Sequence, residues 1–97
     1  VLSPTLDELT EQMHRFVSEQ GWYAADSPKP QTIRNLAASL AIEAGEVLEH
    51  VQWTERPNDQ EGWAEELADV QLYLLQLASL SGVALDEAVL AKLEKNR

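Results

Sequence analysis

Residues 32–53 read TIRNLAASLAIEAGEVLEHVQW. Ile33, Leu36, Leu40, Ala44, Val47 and Val51 recur at steps of three and four, which places them along one face of an α-helix running from about Thr32 to Trp53. Beside that stripe stand Glu43, Glu46 and Glu49, each three residues from the next. Like charges at that spacing are neighbours on a helix and repel by roughly 0.2–0.5 kcal/mol per pair. A ridge of three carboxylates along a hydrophobic helix therefore needs a physical reason.

The pattern on either side is also helical. TERPND (54–59) reads as a turn with Pro57 as breaker. A further helix spans about Asp59–Ser81 on Trp63, Leu67, Val70, Leu74 and Leu77, with Gly82 suited to its C-terminal cap. Upstream, Thr5 and Glu8 have capping-box spacing, and Leu6, Leu9, Met13, Phe16 and Val17 carry a first helix up to Gly21. Residues 22–31 read as a loop. A short last helix, expected to be capped by Asp86, packs Val89, Leu90 and Leu93. Strand-like alternation is absent. The expectation is one all-α domain over residues 1–97: an antiparallel helical hairpin plus flanking helices. A hairpin cannot cover both of its apolar faces, so dimerisation into a four-helix bundle is its natural completion.

Composition narrows the function. The chain has 97 residues, 17 acidic against 7 basic, a net charge of −10 and no cysteine. Disulfides, thiolate metal sites and cysteine nucleophiles are excluded, which fits a reducing, cytoplasmic setting. So acidic a surface disfavours nucleic acid polymers and anionic membranes as partners. No run approaches the ~20 apolar residues of a membrane span, and VLSPTLDELTEQ (1–12) lacks the basic flank of a signal peptide.

At about 100° per residue, Glu66 falls inside the apolar arc of the third helix and Asp69 beside it. Glu43 borders the stripe of the second helix, with Glu46 and Glu49 stepping away. An ExxE pair (Glu43, Glu46) and an ExxD pair (Glu66, Asp69) can thus face each other across the hairpin. Carboxylates on an apolar face are costly unless paired or bound to a cation, and between residues 35 and 91 the only lysine or arginine is Arg56. A metal is the simplest counter-charge. Four oxygen donors without a thiolate or an ExxH step suggest Mg²⁺, with Mn²⁺ as substitute, rather than zinc or di-iron.

Glu43-Ala-Gly-Glu46-Val-Leu-Glu49, Gln52-Trp53 and Glu65-Glu66-Leu-Ala-Asp69-Val resemble the MazG-like all-α nucleoside triphosphate pyrophosphohydrolases, in particular their small single-domain branch. Arg34-Asn35-Leu36, Tyr73 four residues after Asp69, and KLEKNR (92–97) extend the resemblance over about residues 6–97. It implies hydrolysis of the α–β phosphoanhydride of a (deoxy)nucleoside triphosphate, dCTP among the plausible substrates, in a homodimer or homotetramer. It assigns Glu43, Glu46, Glu66 and Asp69 as metal ligands. Glu49, continuing the ridge, is the candidate proton acceptor or a second-metal ligand, with a solvated glutamate as the plain alternative. Trp22, Trp53 and Tyr73 are candidate nucleobase contacts, Asn35 a base or sugar contact, and Lys92 and Asn96 phosphate contacts. His14 reads as a solvated or packing residue. A non-catalytic acidic helical module, binding another chain through the hairpin, is the competing reading.

Overall fold

The computed structural model describes residues 3–97; Val1 and Leu2 lie outside the described residues. Four helices follow in order: α1 Leu6–Glu19, α2 Ile33–His50, α3 Gln60–Leu80 and α4 Leu85–Lys95. The described residues include no strand.

Local chemistry sets most of the boundaries. Thr5 Oγ1 accepts from the Glu8 N–H and Glu8 Oε1 accepts from the Thr5 N–H, both at 3.1 Å, completing the capping box. Thr32 caps α2 by accepting from the Asn35 N–H, and Asp59 caps α3 by accepting from the Gly62 N–H. Each satisfies a backbone donor that the helix cannot pair internally. Gly21 and Gly82 end α1 and α3 with φ of 76° and 73°. Around Gly21 the Trp22 N–H reaches the Val17 carbonyl and the Gly21 N–H the Ser18 carbonyl. Val83 and Gly82 repeat the pattern on Ala78 and Ser79. These are Schellman closures, which need a left-handed residue.

Two helix ends differ from the sequence expectation. α2 stops at His50, three residues before Trp53: Val51 leaves helical geometry (φ −127°, ψ 17°) while its N–H tightens onto Leu48. The chain must already be unwinding to enter the Pro57 turn, which an apolar stripe ending at Val51 does not reveal. α4 is capped by extended Ala84 with no side-chain bond, and Asp86 lies inside its first turn. There the Asp86 carboxylate accepts from the Glu87 N–H and sits at the favourable end of the helix dipole.

α2 and α3 form the expected hairpin and α1 lies on α3. Met13, Val17, Leu36 and Leu75 are the buried apolar side chains among the described residues. That core is thin. Ile42 and Leu48 on α2, Leu67, Leu72 and Leu74 on α3, and Val89, Leu90 and Leu93 on α4 remain substantially exposed. α4 leaves α3 at 100°. The radius of gyration, 15.3 Å, exceeds the ~13 Å of a closed domain of this length. No single helix among the described residues is long and apolar enough to cross a membrane.

Candidate active site

The hairpin brings the two acidic motifs together. One carboxylate oxygen each from Glu43, Glu46 and Glu66 lie within 4.8 Å of one another. Glu43 Oε2 and Glu66 Oε2 are buried with no hydrogen-bond partner. An orphaned buried carboxylate oxygen is expensive, and no lysine or arginine pairs with any of the three among the described residues. His50 Nε2 comes within 3.9 Å of Glu66 Oε1, too far for a hydrogen bond. His50 also meets Trp63 edge-on at 5.9 Å, giving Trp63 a packing role. Burial, reinforced by the neighbouring carboxylates, pushes Glu43 up to about 7. Burial raises Glu66 as well, and the Glu46 and Asp69 charges act on both groups. An all-oxygen set with two unsatisfied members fits a hard divalent cation.

Asp69, the fourth predicted ligand, is not one of the three residues whose oxygens converge. Its charge acts on Glu43 and Glu66, and it lines an open cleft of about 800 Å³. The cleft is walled by α1, the loop after it, the first half of α2 and the middle of α3, and is mostly apolar. Trp22, Asn35 and Tyr73 line it. Trp22 is carried there by the Gly21 turn, stands edge-on to Phe16 at 5.6 Å and has Lys29 Nζ 4.7 Å from its ring centre. That geometry is a cation–π contact. The Asn35 Nδ2 donates to the Pro30 carbonyl at 3.0 Å, bracing the loop.

The other residues singled out in the sequence lie elsewhere. Glu49 is exposed on α2, outside the carboxylate trio. Trp53 is 87% exposed in the turn and does not line the cleft. Lys92 is exposed on α4, as is Asn96 at its C-terminal cap.

A polar network that the sequence reading did not anticipate closes the far end of the cleft. Gln76, only 3% exposed, donates through Nε2 to Tyr23 Oη at 3.1 Å and to Gln31 Oε1 at 2.9 Å. Tyr23 Oη meets His14 Nδ1 at 2.5 Å, and His14 Nε2 meets Ser79 Oγ at 2.7 Å. His14 thus ties α1 to the loop and to α3 without lining the cleft. Burial raises the Tyr23 hydroxyl above its ordinary pKa, the Gln76 bond opposing it. The available signal was Gln76 itself, a glutamine inside the apolar run LYLLQLASL, seven residues after Asp69 and therefore on the same face.

A helical hairpin that opposes ExxE to ExxD beside an aromatic-lined cleft defines a class of small all-α acidic-cradle proteins. Within it, the chain belongs to the MazG-like family, whose model matches residues 38–97. It is 36% identical over 103 residues to human (Homo sapiens) dCTP pyrophosphatase 1 and 34% identical over 105 residues to the Bos taurus protein of the same name. Each alignment covers 97% of this chain, which spans 58% of the length of each of these curated relatives. The crystal structure of a pyrophosphatase from Archaeoglobus fulgidus superposes with a TM-score of 0.76 at 36% identity, covering 99% of this chain and 92% of that one.

Proposed function

We propose that this chain is a Mg²⁺-dependent pyrophosphohydrolase of (deoxy)nucleoside triphosphates, releasing monophosphate and pyrophosphate. The observation that carries this reading is the pair of buried, partnerless carboxylate oxygens on Glu43 and Glu66, set with Glu46 beside a cleft that begins at Asp69. Glu43, Glu46, Glu66 and Asp69 would hold the metal. When bound, it would reverse the local negative charge and supply Lewis-acid stabilisation to a triphosphate that the bare protein repels. Trp22 and Tyr73 offer ring faces to a nucleobase, each stack worth about 1–3 kcal/mol and indifferent to base identity. Asn35 holds the loop that frames them. Glu49 is the proposed proton acceptor for the attacking water.

Trp53, Lys92 and Asn96 lie outside the cleft of their own chain, so any contact they make with substrate would come through a second copy. The uncovered apolar faces support a homodimer or homotetramer. The names of the mammalian relatives favour dCTP as substrate, and a cytoplasmic setting for dNTP-pool cleansing accords with the cysteine-free composition.

Pyrophosphate release from a dNTP panel with Mg²⁺ or Mn²⁺ tests the reading. Glu43→Ala and Asp69→Ala are each expected to reduce turnover at least ~100-fold. Unchanged activity in both variants would remove the proposed site.

A further inference from the structure

The network behind the cleft has a fixed direction, and that direction decides what Gln76 offers to a ligand. It starts at a backbone carbonyl. The Lys29 carbonyl can only accept, and it receives Gln31 Nε2 at 2.7 Å. Gln31 is therefore oriented with its amide nitrogen toward Lys29 and its Oε1 toward Gln76. Oε1 can only accept, so the Gln76 atom 2.9 Å away must be the nitrogen. The same nitrogen lies 3.1 Å from Tyr23 Oη. A primary amide has two N–H bonds, and here Gln31 and Tyr23 take both. Turning the amide over would set its oxygen against Gln31 Oε1, two acceptors face to face.

One group remains. No described residue donates to Gln76 Oε1, and it is not among the oxygens sealed from solvent. Gln76 lines the 800 Å³ cleft that begins at Asp69 and is 97% buried by its surroundings. Asp69, Tyr73 and Gln76 follow at steps of four and three on α3, one face of one helix. Seven residues span ~10 Å along the axis, about the distance from the phosphate end of a nucleotide to the far edge of its base.

We propose that Gln76 is the specificity-determining residue of the cleft: its carbonyl oxygen, locked as an acceptor by the Lys29–Gln31 relay, selects nucleobases bearing an exocyclic amino group over their oxo counterparts. This rests on the nucleotide reading above. An amino edge, as in cytosine or adenine, donates to Oε1. An oxo edge at the same place presents a lone pair to a lone pair and leaves both groups unpaired against the mostly apolar wall of the cleft.

Product-like monophosphates test this without turnover. In wild-type protein with Mg²⁺, calorimetry compares dCMP with dUMP and dAMP with dIMP, pairs in which an amino group is replaced by oxo. At least one amino member is expected to bind ~10-fold or more tightly than its oxo partner. Equal affinities, a preference for oxo bases, or no binding by any of the four would overturn the assignment. Which pair discriminates tells cytosine from adenine.

Gln76→Leu, checked for folding by thermal melting, is expected to bring the ratio within ~3-fold. Gln31→Leu leaves Gln76 in place but removes the acceptor that locks it. The freed amide can turn its nitrogen into the cleft, and the ratio is expected to shift toward the oxo base. An unchanged ratio in Gln31→Leu would overturn the relay even if Gln76→Leu failed to fold. Pyrophosphate release from dCTP and dUTP alike, with equal monophosphate affinities, would leave hydrolysis standing and sink Gln76. Amino-selective binding without pyrophosphate release would do the reverse.

Discussion

Burial and three neighbouring carboxylates hold Glu43 under electrostatic tension. Its carboxyl is raised from 4.5 to about 7, first by burial and then by Glu66, Glu46 and Asp69. Between about pH 4.5 and pH 7 the folded chain therefore binds more protons at this site than the unfolded chain. The cradle's contribution to stability is largest below pH 4.5 and falls as pH rises through about 7. Thermal melts in a chelator should show metal-free wild type losing stability across that window relative to Glu43→Gln, which cannot ionise. At pH 8 the variant is expected to melt higher than wild type without metal and to gain less from added Mg²⁺. For the same reason, metal affinity should strengthen as pH rises through 7, because the ion replaces a proton. These carboxylates were legible in the sequence because helical spacing reports which face a residue occupies. Gln76 was not, because its partners lie 45 and 53 residues away and no local pattern encodes a bond across that separation.

At the scale of the elements, Gly21 in the turn after α1 and Gly45 inside α2 behave oppositely. Gly21 has φ of 76°, and nothing lies within 4 Å of where a Cβ would stand, so strain alone governs its replacement. Gly21→Ala should cost about 1 kcal/mol and weaken nucleotide binding by disturbing Trp22, which the turn delivers to the cleft. Gly45 lies inside α2 with equally open surroundings, and Gly45→Ala should add about 0.5–1 kcal/mol. Denaturant midpoints of the two variants measure the contrast. The helices and three of their caps, Thr5, Thr32 and Asp59, follow from periodicity and from side chains that accept backbone N–H bonds. The early end of α2 and the uncapped start of α4 do not, since both depend on how the chain reverses rather than on which residues are apolar.

For the whole molecule the thin core matters most. Four buried apolar side chains among the described residues are few for a domain of this size, since most of the stability of small helices comes from packed faces. If a second copy covers α2, α3 and α4, folding and association are one equilibrium. The melting temperature should then rise with protein concentration, by several degrees across a hundredfold range. Charged substitutions at Ile42 or Leu48, both 63% exposed in the single chain, should lower it further. A concentration-independent melt would show that one chain is sufficient.

The splayed α4, with Leu90 68% exposed, bears on the lifetime of the protein in a cell. Chaperones and proteases recognise uncovered aliphatic side chains, and small shifts in the fraction of exposed molecules change abundance several-fold. If a second copy covers α4, a newly made chain would wear this mark until it met another. Turnover measured after a pulse of synthesis should accordingly slow as expression rises, so that the population counts its own members.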